Sequence, residues 1–291
     1  MASLQYSVVP YIGIVFKPVP EAEALAHDLA TRLLTDGCRV AVEHSAWPGT
    51  TELLLGELAH TADRPVVLVS VGGDGTFLRT ARTAIPLGIA VAGLNLGRLG
   101  FLTDFEAAET ESLARMLCQG GATRTTRAVL QAQAGGRTFL ATNDVVINKN
   151  ALSRMVELRV TLAGHGEYFV RADGIIVSTP TGSTAYNVSA GGPVLLPELD
   201  VVVLSPICPQ GLGYRPLVVP AGQPITVQIV HGEDVYLTVD GQEGIALPAG
   251  ERVEIAQYAQ PLRLLPNPRR TFVEILRRKL HWGSPSYREN A

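Results

Sequence analysis

The 291-residue sequence lacks the features that mark membrane and nucleic-acid-binding proteins. No uninterrupted apolar run approaches the ~18 residues of a membrane span, and the first ten residues lack the basic and apolar regions of a signal peptide. The chain carries 24 basic and 27 acidic side chains, a formal net charge of -3, so it has no excess positive charge to attract a nucleic-acid duplex. We therefore expect a soluble cytoplasmic protein that binds neither membrane nor nucleic acid.

Cysteine and histidine are also too few and too scattered to suggest a metal site. The three cysteines, at positions 38, 118 and 208, form no CxxC pair, and the six histidines show no ligand spacing. This pattern predicts buried, reduced thiols and argues against a disulfide framework or a structural zinc site. The motifs GxxxxGK[ST], GxSxG and HExxH are absent, which excludes Walker-type NTPases, α/β-hydrolases with a nucleophile elbow and zincins; GxGxxG is absent too, which weakens an ordinary Rossmann dehydrogenase.

The first 124 residues alternate short apolar runs with stretches of helical period. We predict strands at 12–16, 39–42, 65–71 and 88–92, and helices at 20–34, 51–60 and 77–83. The strand at 65–71 is apolar on both faces, as expected inside a parallel sheet that helices cover. The alternation predicts a doubly wound α/β domain with a Rossmann-like parallel sheet.

From residue 125 the apolar residues recur at every second position. Strands are predicted at 128–133, 155–162, 225–230 and 235–239, so residues 125–267 are expected to form a β-rich, sandwich-like domain. Apolar residues at helical spacing predict a closing helix at 271–280. The segment 268–291 is therefore expected to hold this C-terminal helix, which could pack back on the first domain.

The first segment with chemical potential is 72–76, Gly-Gly-Asp-Gly-Thr, between a buried strand and a helix. Glycines let backbone amides approach a ligand closely, and a helix N-terminus favours an anion such as phosphate. Asp74 inside this loop would repel phosphate unless it holds Mg²⁺, accepts a hydrogen bond from a hydroxyl, or takes the proton of that hydroxyl. The segment thus suggests phosphoryl transfer to a hydroxyl, or else an ordinary turn with a helix-capping Asp74.

Two further segments suggest nucleotide binding. Asn143-Asp144, bounded by strand residues, suits ribose hydroxyls or an adenine edge, although a simple turn uses the same residues. The run 171–193 is dense in glycines and small hydroxyls, which fits a dinucleotide lying along a loop and a helix start. Tyr186 would stack on a base or bond to it; the alternative is a capped turn with Tyr186 in the core.

Taken together, six segments resemble the NAD kinase family. They are GGDGTFL at 72–78, NLGRLGFLT at 95–103, ND at 143–144, DGIIVSTPTGSTAY at 173–186, PICP at 206–209 and DGQ at 240–242. GGDG alone is shared with other kinases, whereas the block 173–193 is specific. The resemblance runs from about residue 12 to residue 245 and implies phosphorylation of the 2′-hydroxyl of the adenosine ribose of NAD, giving NADP.

The resemblance also implies roles for individual residues. Asp74 would be the catalytic proton acceptor, and Gly72, Gly73, Gly75 and Thr76 would form the phosphate loop. The remaining implied contacts to NAD, with Asp74 and Gly75 among the binding residues, are Arg79, Asn143, Asp144, Arg154, Arg171, Asp173, Thr181, Thr184, Ala185, Tyr186, Asn187, Val188, Ser189 and Gln242.

The family pattern further implies NAD and ATP as substrates, Mg²⁺ or another divalent cation, and a homodimer or homotetramer. Inorganic polyphosphate remains open as the phosphoryl donor. Two other functions also stay open: a non-catalytic dinucleotide sensor, and another GGDG-type kinase acting on a lipid or a sugar. The chain departs from the family pattern at Asp144, where glutamate is more frequent, and at Gln210-Gly211, where many members have His-Ser.

Overall fold

The computed structural model describes residues 9–97, 100–119, 123–211 and 213–283. The chain divides into two compact units: Thr126–Pro261 forms the second, and the described residues on either side of it form the first. Arg98 and Leu99, within the motif 95–103, lie outside the described residues. Among the helices that the structure describes, none has both the length and the apolar character needed to cross a bilayer.

Twenty strands are found within the described residues, and they are β1 (Tyr11–Phe16), β2 (Arg39–Glu43), β3 (Thr51–Leu53), β4 (Val67–Gly72), β5 (Ala90–Asn95), β6 (Phe105–Glu106), β7 (Thr125–Arg127), β8 (Leu130–Ala134), β9 (Arg137–Ala141), β10 (Asp144–Lys149), β11 (Val156–Leu162), β12 (Gly166–Ala172), β13 (Gly174–Ser178), β14 (Val201–Ile207), β15 (Leu217–Pro220), β16 (Ile225–His231), β17 (Val235–Val239), β18 (Glu243–Leu247), β19 (Arg252–Gln257) and β20 (Leu262–Leu264). The α-helices of the same residues are α1 (Pro20–Thr35), α2 (Asp74–Leu87), α3 (Thr110–Gln119), α4 (Tyr186–Ser189) and α5 (Phe272–Leu280).

The first unit is built on a sheet with the order β3-β2-β1-β4-β5-β20, in which β6 also pairs with β5. Strands β1, β2, β4 and β5 are mutually parallel where they pair. Every residue of β4 and β5 is buried, as the two-sided apolar pattern predicts. Helix α1 buries one face of small and branched residues against the sheet, and the Pro at its start fits a helix N-terminus.

The second unit is a sandwich of two antiparallel six-stranded sheets, as far as the chain is described. One sheet has the order β15-β14-β13-β10-β17-β18 and the other β12-β11-β16-β19-β8-β9. Strand β11 alternates buried and half-buried residues along its whole length. Its buried side chains join those of β13 and β17 in one apolar core, which is the usual way that two sheets bury their inner faces. The predicted fold class is confirmed.

The predicted helix at 51–60 is wrong. Residues Thr51–Leu53 form β3, which extends the sheet beside β2, and only a short 3₁₀ turn follows at Leu55–Glu57. The buried Leu53 is anchored by that pairing, while Gly56 in the middle of the segment weakens a helix. Pairing with a neighbouring strand therefore decides the conformation here.

The cysteine prediction is also wrong. Cys38 and Cys118 form a disulfide with a Cα–Cα separation of 6.1 Å, and the third cysteine, Cys208, is exposed. Cys38 follows α1 and Cys118 lies on α3, which packs against α1, so the fold brings together residues that are 80 positions apart. The expectation of a reducing cytosol rested on buried thiols; without that support, cytoplasmic localisation stays a prediction.

Candidate active site

Asp74 lies at the carboxyl edge of the parallel sheet of the first unit. Strand β4 ends at Gly72, Gly73 is the N-cap, and α2 begins at Asp74 itself. Gly72 is in register with Asn95, the last residue of β5, so the segments that leave both strands start at the same edge. The carboxyl edge of an open α/β sheet is where such folds bind their ligands.

The carboxylate of Asp74 is held by the segment that follows β5. Its Oδ2 accepts a hydrogen bond from the backbone N–H of Phe101 at 3.1 Å. Its Oδ1 accepts bonds from the N–H groups of Leu102 at 3.3 Å and Thr103 at 3.2 Å, and from the Thr103 hydroxyl at 3.0 Å. These four hydrogen bonds fix the position and orientation of the carboxylate at the start of α2.

Gly100 permits this arrangement because no side chain fits there. A Cβ at position 100 would lie 2.0 Å from Asp74 Oδ1 and 2.2 Å from Thr103 Oγ1. Such distances are far inside van der Waals contact, so any larger residue would displace the carboxylate or the hydroxyl. The glycine in the motif 95–103 is thus explained by the close approach of the loop to Asp74.

The other predicted residues of the first unit surround the start of α2. Gly75 is exposed, while Gly73 and Thr76 are half-buried. Arg79 lies further along α2, and its guanidinium forms a bidentate ion pair with Glu43. Nη1 donates to Oε1 at 2.5 Å and Nη2 donates to Oε2 at 2.7 Å. Glu43 has a side chain only 4% exposed, so Arg79 neutralises a buried charge.

In the second unit, Asp240 fixes the backbone of the Asn143-Asp144 segment. Its Oδ1 accepts from the N–H groups of Asn143 at 2.7 Å and Asp144 at 3.2 Å, and its Oδ2 accepts from Thr142 N–H at 3.0 Å. Asp240 adopts a left-handed conformation, with φ at 51°, which aspartate tolerates better than most residues. The turn after β17 thereby sets the position of Asp144.

Asp144 opens onto a pocket of about 350 Å³ within the second unit. The lining residues are Asn143, Asp144, Val146, Asn148, Ala185, Tyr186, Thr238, Asp240 and Gly241. Burial and the nearby Asp240 carboxylate together raise the pKa of Asp144 to about 7, against a hydrogen bond from the Tyr186 backbone that lowers it. The protonated form of this carboxyl group can donate a hydrogen bond as well as accept one, and it is populated up to about neutral pH.

The polar run 178–189 divides into residues that face this pocket and residues that build its wall. Ala185 and Tyr186 line the pocket, and the Tyr186 side chain is 43% exposed, which excludes a core position. Asn187 is fully buried. Its amide donates hydrogen bonds to the carbonyls of Ser183 and Pro193 and accepts one from the Ser205 hydroxyl, so it holds together the segment that forms the wall. Gly182 is pressed against Asn143, whose carbonyl oxygen would lie 2.0 Å from a Cβ at position 182.

The remaining predicted residues of the second unit have varied surroundings. Thr181 and Thr184 are buried; the Thr184 hydroxyl donates to the Thr181 carbonyl, and the Thr181 hydroxyl has no partner among the described residues. Asp173 is half-buried with Lys149 Nζ at 3.5 Å. Exposed positions are occupied by Arg154, Arg171, Ser189 and Gln242, and Val188 is half-buried.

Sequence reasoning gave no role to four side chains that hold the predicted residues in place: Asn95, Thr103, Asp240 and Glu43. The first two belong to the motif 95–103 and the third to the motif 240–242, so membership of a motif was the available signal. Glu43 at the end of β2 gave no signal, because its partner Arg79 lies 36 positions away.

Both units of the chain match models of one protein family. Residues 12–122 match the ATP-NAD kinase N-terminal domain, and residues 142–266 match the ATP-NAD kinase C-terminal domain. The chain is 40% identical over 258 residues to the curated NAD kinase of Gemmatimonas aurantiaca, covering 86% of this chain and 88% of that protein. The chain belongs to the NAD kinase family. The NAD kinase of Syntrophotalea carbinolica is 36% identical, over 91% of this chain and 95% of its own length.

Solved structures of NAD kinases share this fold. The yeast NADH kinase complexed with NADH superposes with a TM-score of 0.85 at 23% identity, covering 95% of this chain and 89% of that one. An NAD kinase from Archaeoglobus fulgidus in complex with ATP gives a TM-score of 0.72 at 25% identity, covering 91% and 98%. The fold of this chain is therefore shared with both of these structures.

Proposed function

We propose that this chain phosphorylates the 2′-hydroxyl of the adenosine ribose of NAD, giving NADP, with ATP as the donor. The observation that carries the proposal is the Asp74 carboxylate, held by four hydrogen bonds at the start of α2 beside a glycine loop. Its Oδ1 accepts three of those bonds and its Oδ2 accepts one. The Oδ2 atom therefore keeps most of the remaining capacity to accept a proton.

In the proposed reaction, the ribose oxygen forms a bond to the γ-phosphorus of ATP as the bond from that phosphorus to the bridging oxygen breaks. Asp74 accepts the proton that leaves the hydroxyl, and ADP carries away the electrons of the broken bond. Phosphoryl transfer has a loose transition state, so positioning and charge stabilisation supply most of the rate. A general base typically adds 10²–10⁴-fold, which sets the share expected of Asp74.

The pocket of the second unit supports binding of the adenosine part of NAD. Tyr186 offers a partly exposed ring for stacking, and Asn143 and Asp144 offer an amide and a carboxyl group for ribose or adenine. The yeast relative was solved with NADH and the archaeal relative with ATP, which supports the same two substrate classes here. Gly72, Gly73, Gly75 and Thr76 are proposed to receive the phosphates.

A divalent cation fits the donor set only if it arrives with the phosphates. Among the described residues no group of three or more His, Cys, Asp or Glu side chains is placed to hold a metal ion. Mg²⁺ commonly keeps several waters and binds through substrate phosphates, so the ion would arrive with the phosphates that Gly72, Gly73, Gly75 and Thr76 are proposed to receive. When bound, such an ion would neutralise charge on the transferring phosphoryl group.

The two other functions are not favoured. Both the lipid or sugar kinase and the non-catalytic sensor lack support from the relatives, which are curated NAD kinases over most of the chain. Polyphosphate as an alternative donor, and assembly as a homodimer or homotetramer, stay predictions.

The test is formation of NADP by the purified chain with NAD, Mg²⁺ and either ATP or polyphosphate. We expect NADP with ATP, and the polyphosphate arm identifies the range of donors. Tight binding of NAD without any product would favour the sensor. If the chain neither binds NAD nor forms product, the proposal is wrong.

A further inference from the structure

A buried chain of hydrogen bonds connects Asn95 to Asp74 through Thr103. The Asn95 amide donates to Thr103 Oγ1 at 2.7 Å, and the Thr103 hydroxyl reaches Asp74 Oδ1 at 3.0 Å. Thr103 is fully buried and Asn95 is 6% exposed, whereas Asp74 is half-buried. The chain therefore runs from the interior of the first unit to the carboxylate to which we assign the chemistry.

The direction of donation along this chain is fixed by a fourth group. The N–H of Gly97 donates to Asn95 Oδ1 at 2.9 Å, so the amide must turn its NH₂ towards Thr103. Because Thr103 Oγ1 accepts that bond, its single hydrogen is left to point at Asp74 Oδ1. The hydroxyl is thus a preset donor to the carboxylate before any substrate arrives.

The preset donor limits rotation of the carboxylate. The Oδ1 atom is bound by the Thr103 hydroxyl and by two backbone N–H groups, while Oδ2 has the single bond from Phe101. Rotation about the Cβ–Cγ bond would exchange the two oxygens and break this set. Of the donors to Oδ1, only the hydroxyl can be removed by substitution without altering the backbone.

We propose that Thr103, oriented by Asn95, is a positioning residue that keeps Asp74 Oδ2 directed at the acceptor hydroxyl. The inference rests on the proposed function, because it assigns the reacting proton to Asp74. Thr103 acts through Asp74 and does not touch the substrate. It should therefore affect turnover and leave NAD affinity nearly unchanged.

The first test compares Thr103→Val, which removes the hydroxyl, with Thr103→Ser, which retains it. We expect the valine variant to lose about 10-fold or more in kcat with KM for NAD within about twofold of the wild type, since loss of a transition-state contact lowers kcat and kcat/KM together. The serine variant should recover kcat to within about threefold, because the donor is restored. Serine restores the hydroxyl but lacks the Cγ2 methyl group that threonine and valine share. A loss caused by poor packing would therefore not be repaired by serine.

The second test places the same change in an Asp74→Asn background. If Thr103 acts through Asp74, Thr103→Val should alter the residual turnover of that variant by less than about twofold, since groups that act as a unit are not additive. An independent structural effect would lower it by the same factor as in the wild type. A cycling assay for NADP, which amplifies small amounts of product, measures the residual rates.

The outcomes separate the inference from the proposed function. Absence of NADP from the wild type overturns both. An active wild type with unchanged kcat in Thr103→Val, or with a valine effect that serine does not repair, overturns the inference alone. If the valine variant fails to fold, Asn95→Ala replaces it: kcat should fall about threefold or more at unchanged KM, and an unchanged kcat contradicts the inference.

Discussion

Replacing Asp144 with asparagine should stabilise the protein above neutral pH and have much less effect in acid. The carboxyl group is 5% exposed and lies beside Asp240, so its ionisation in the folded state is unfavourable. Asparagine has nearly the same shape and stays neutral at all pH values. It therefore removes the cost of ionisation and keeps the volume of the side chain.

The magnitude follows from the pKa of Asp144, which rises from 3.8 to about 7 on folding. Between these values the folded state binds more protons than the unfolded state, so the free energy of unfolding falls as the pH rises. No cost exists below 3.8, and the full cost is reached once the pH passes about 7. The difference between the two values corresponds to about 4 kcal/mol, and relaxation of the pocket would reduce it to about 2–4 kcal/mol.

Urea unfolding followed by circular dichroism at pH 4.5 and pH 8.5 measures this effect. The advantage of Asp144→Asn over the wild type should grow by about 2–4 kcal/mol between the two pH values. Glu254→Gln, the same chemical change at an exposed position on β19, is the matched control and should show no such growth. An equal change with pH in Asp144→Asn and the control would show that burial of Asp144 does not make its ionisation costly.

Two further variants test the contacts around Asp74 and Arg79. Gly100→Ala should lower turnover by about 100-fold or more, because its Cβ would occupy the space of Asp74 Oδ1 and small misplacements are costly; Gly97→Ala, whose Cβ meets nothing within 4 Å, is the control, and wild-type turnover in Gly100→Ala would contradict the geometry. Arg79→Met should destabilise the protein by about 2 kcal/mol in urea unfolding, less than the 3–5 kcal/mol of a fully buried pair, since the Arg79 side chain is 41% exposed. Adding Glu43→Gln should restore most of that loss, and an unaltered single variant would show that the pair contributes nothing.

The fold could be predicted where local pattern and tertiary burial agree. The apolar runs that became β1, β4 and β5 are buried on both faces of the sheet, and the alternating run at 155–162 became β11 with one residue's difference. Helix α5 was expected because its apolar residues are spaced by three and four, and the structure adds a capping box of Thr271 and Glu274. Segment 51–60 failed because pairing with β2 outweighed its helical pattern.

The candidate site was predictable only as far as its residues are local in sequence. The glycine loop and Asp74 are adjacent, so their chemistry could be read from the segment itself. The supports of Asp74 come from positions 27–29 residues away, and Asp240 is 96–98 residues from the backbone that it fixes. The Cys38–Cys118 bond likewise depends on the packing of α1 against α3.

The turnover of Asp74→Asn measures whether Asp74 accepts the proton of the reacting hydroxyl. The purified wild type and variant are compared for NADP formation from NAD, ATP and Mg²⁺, with NAD binding measured in parallel. We predict that the variant binds NAD as the wild type does and loses at least ~100-fold in kcat. Undiminished turnover in Asp74→Asn would show that Asp74 does not accept the proton.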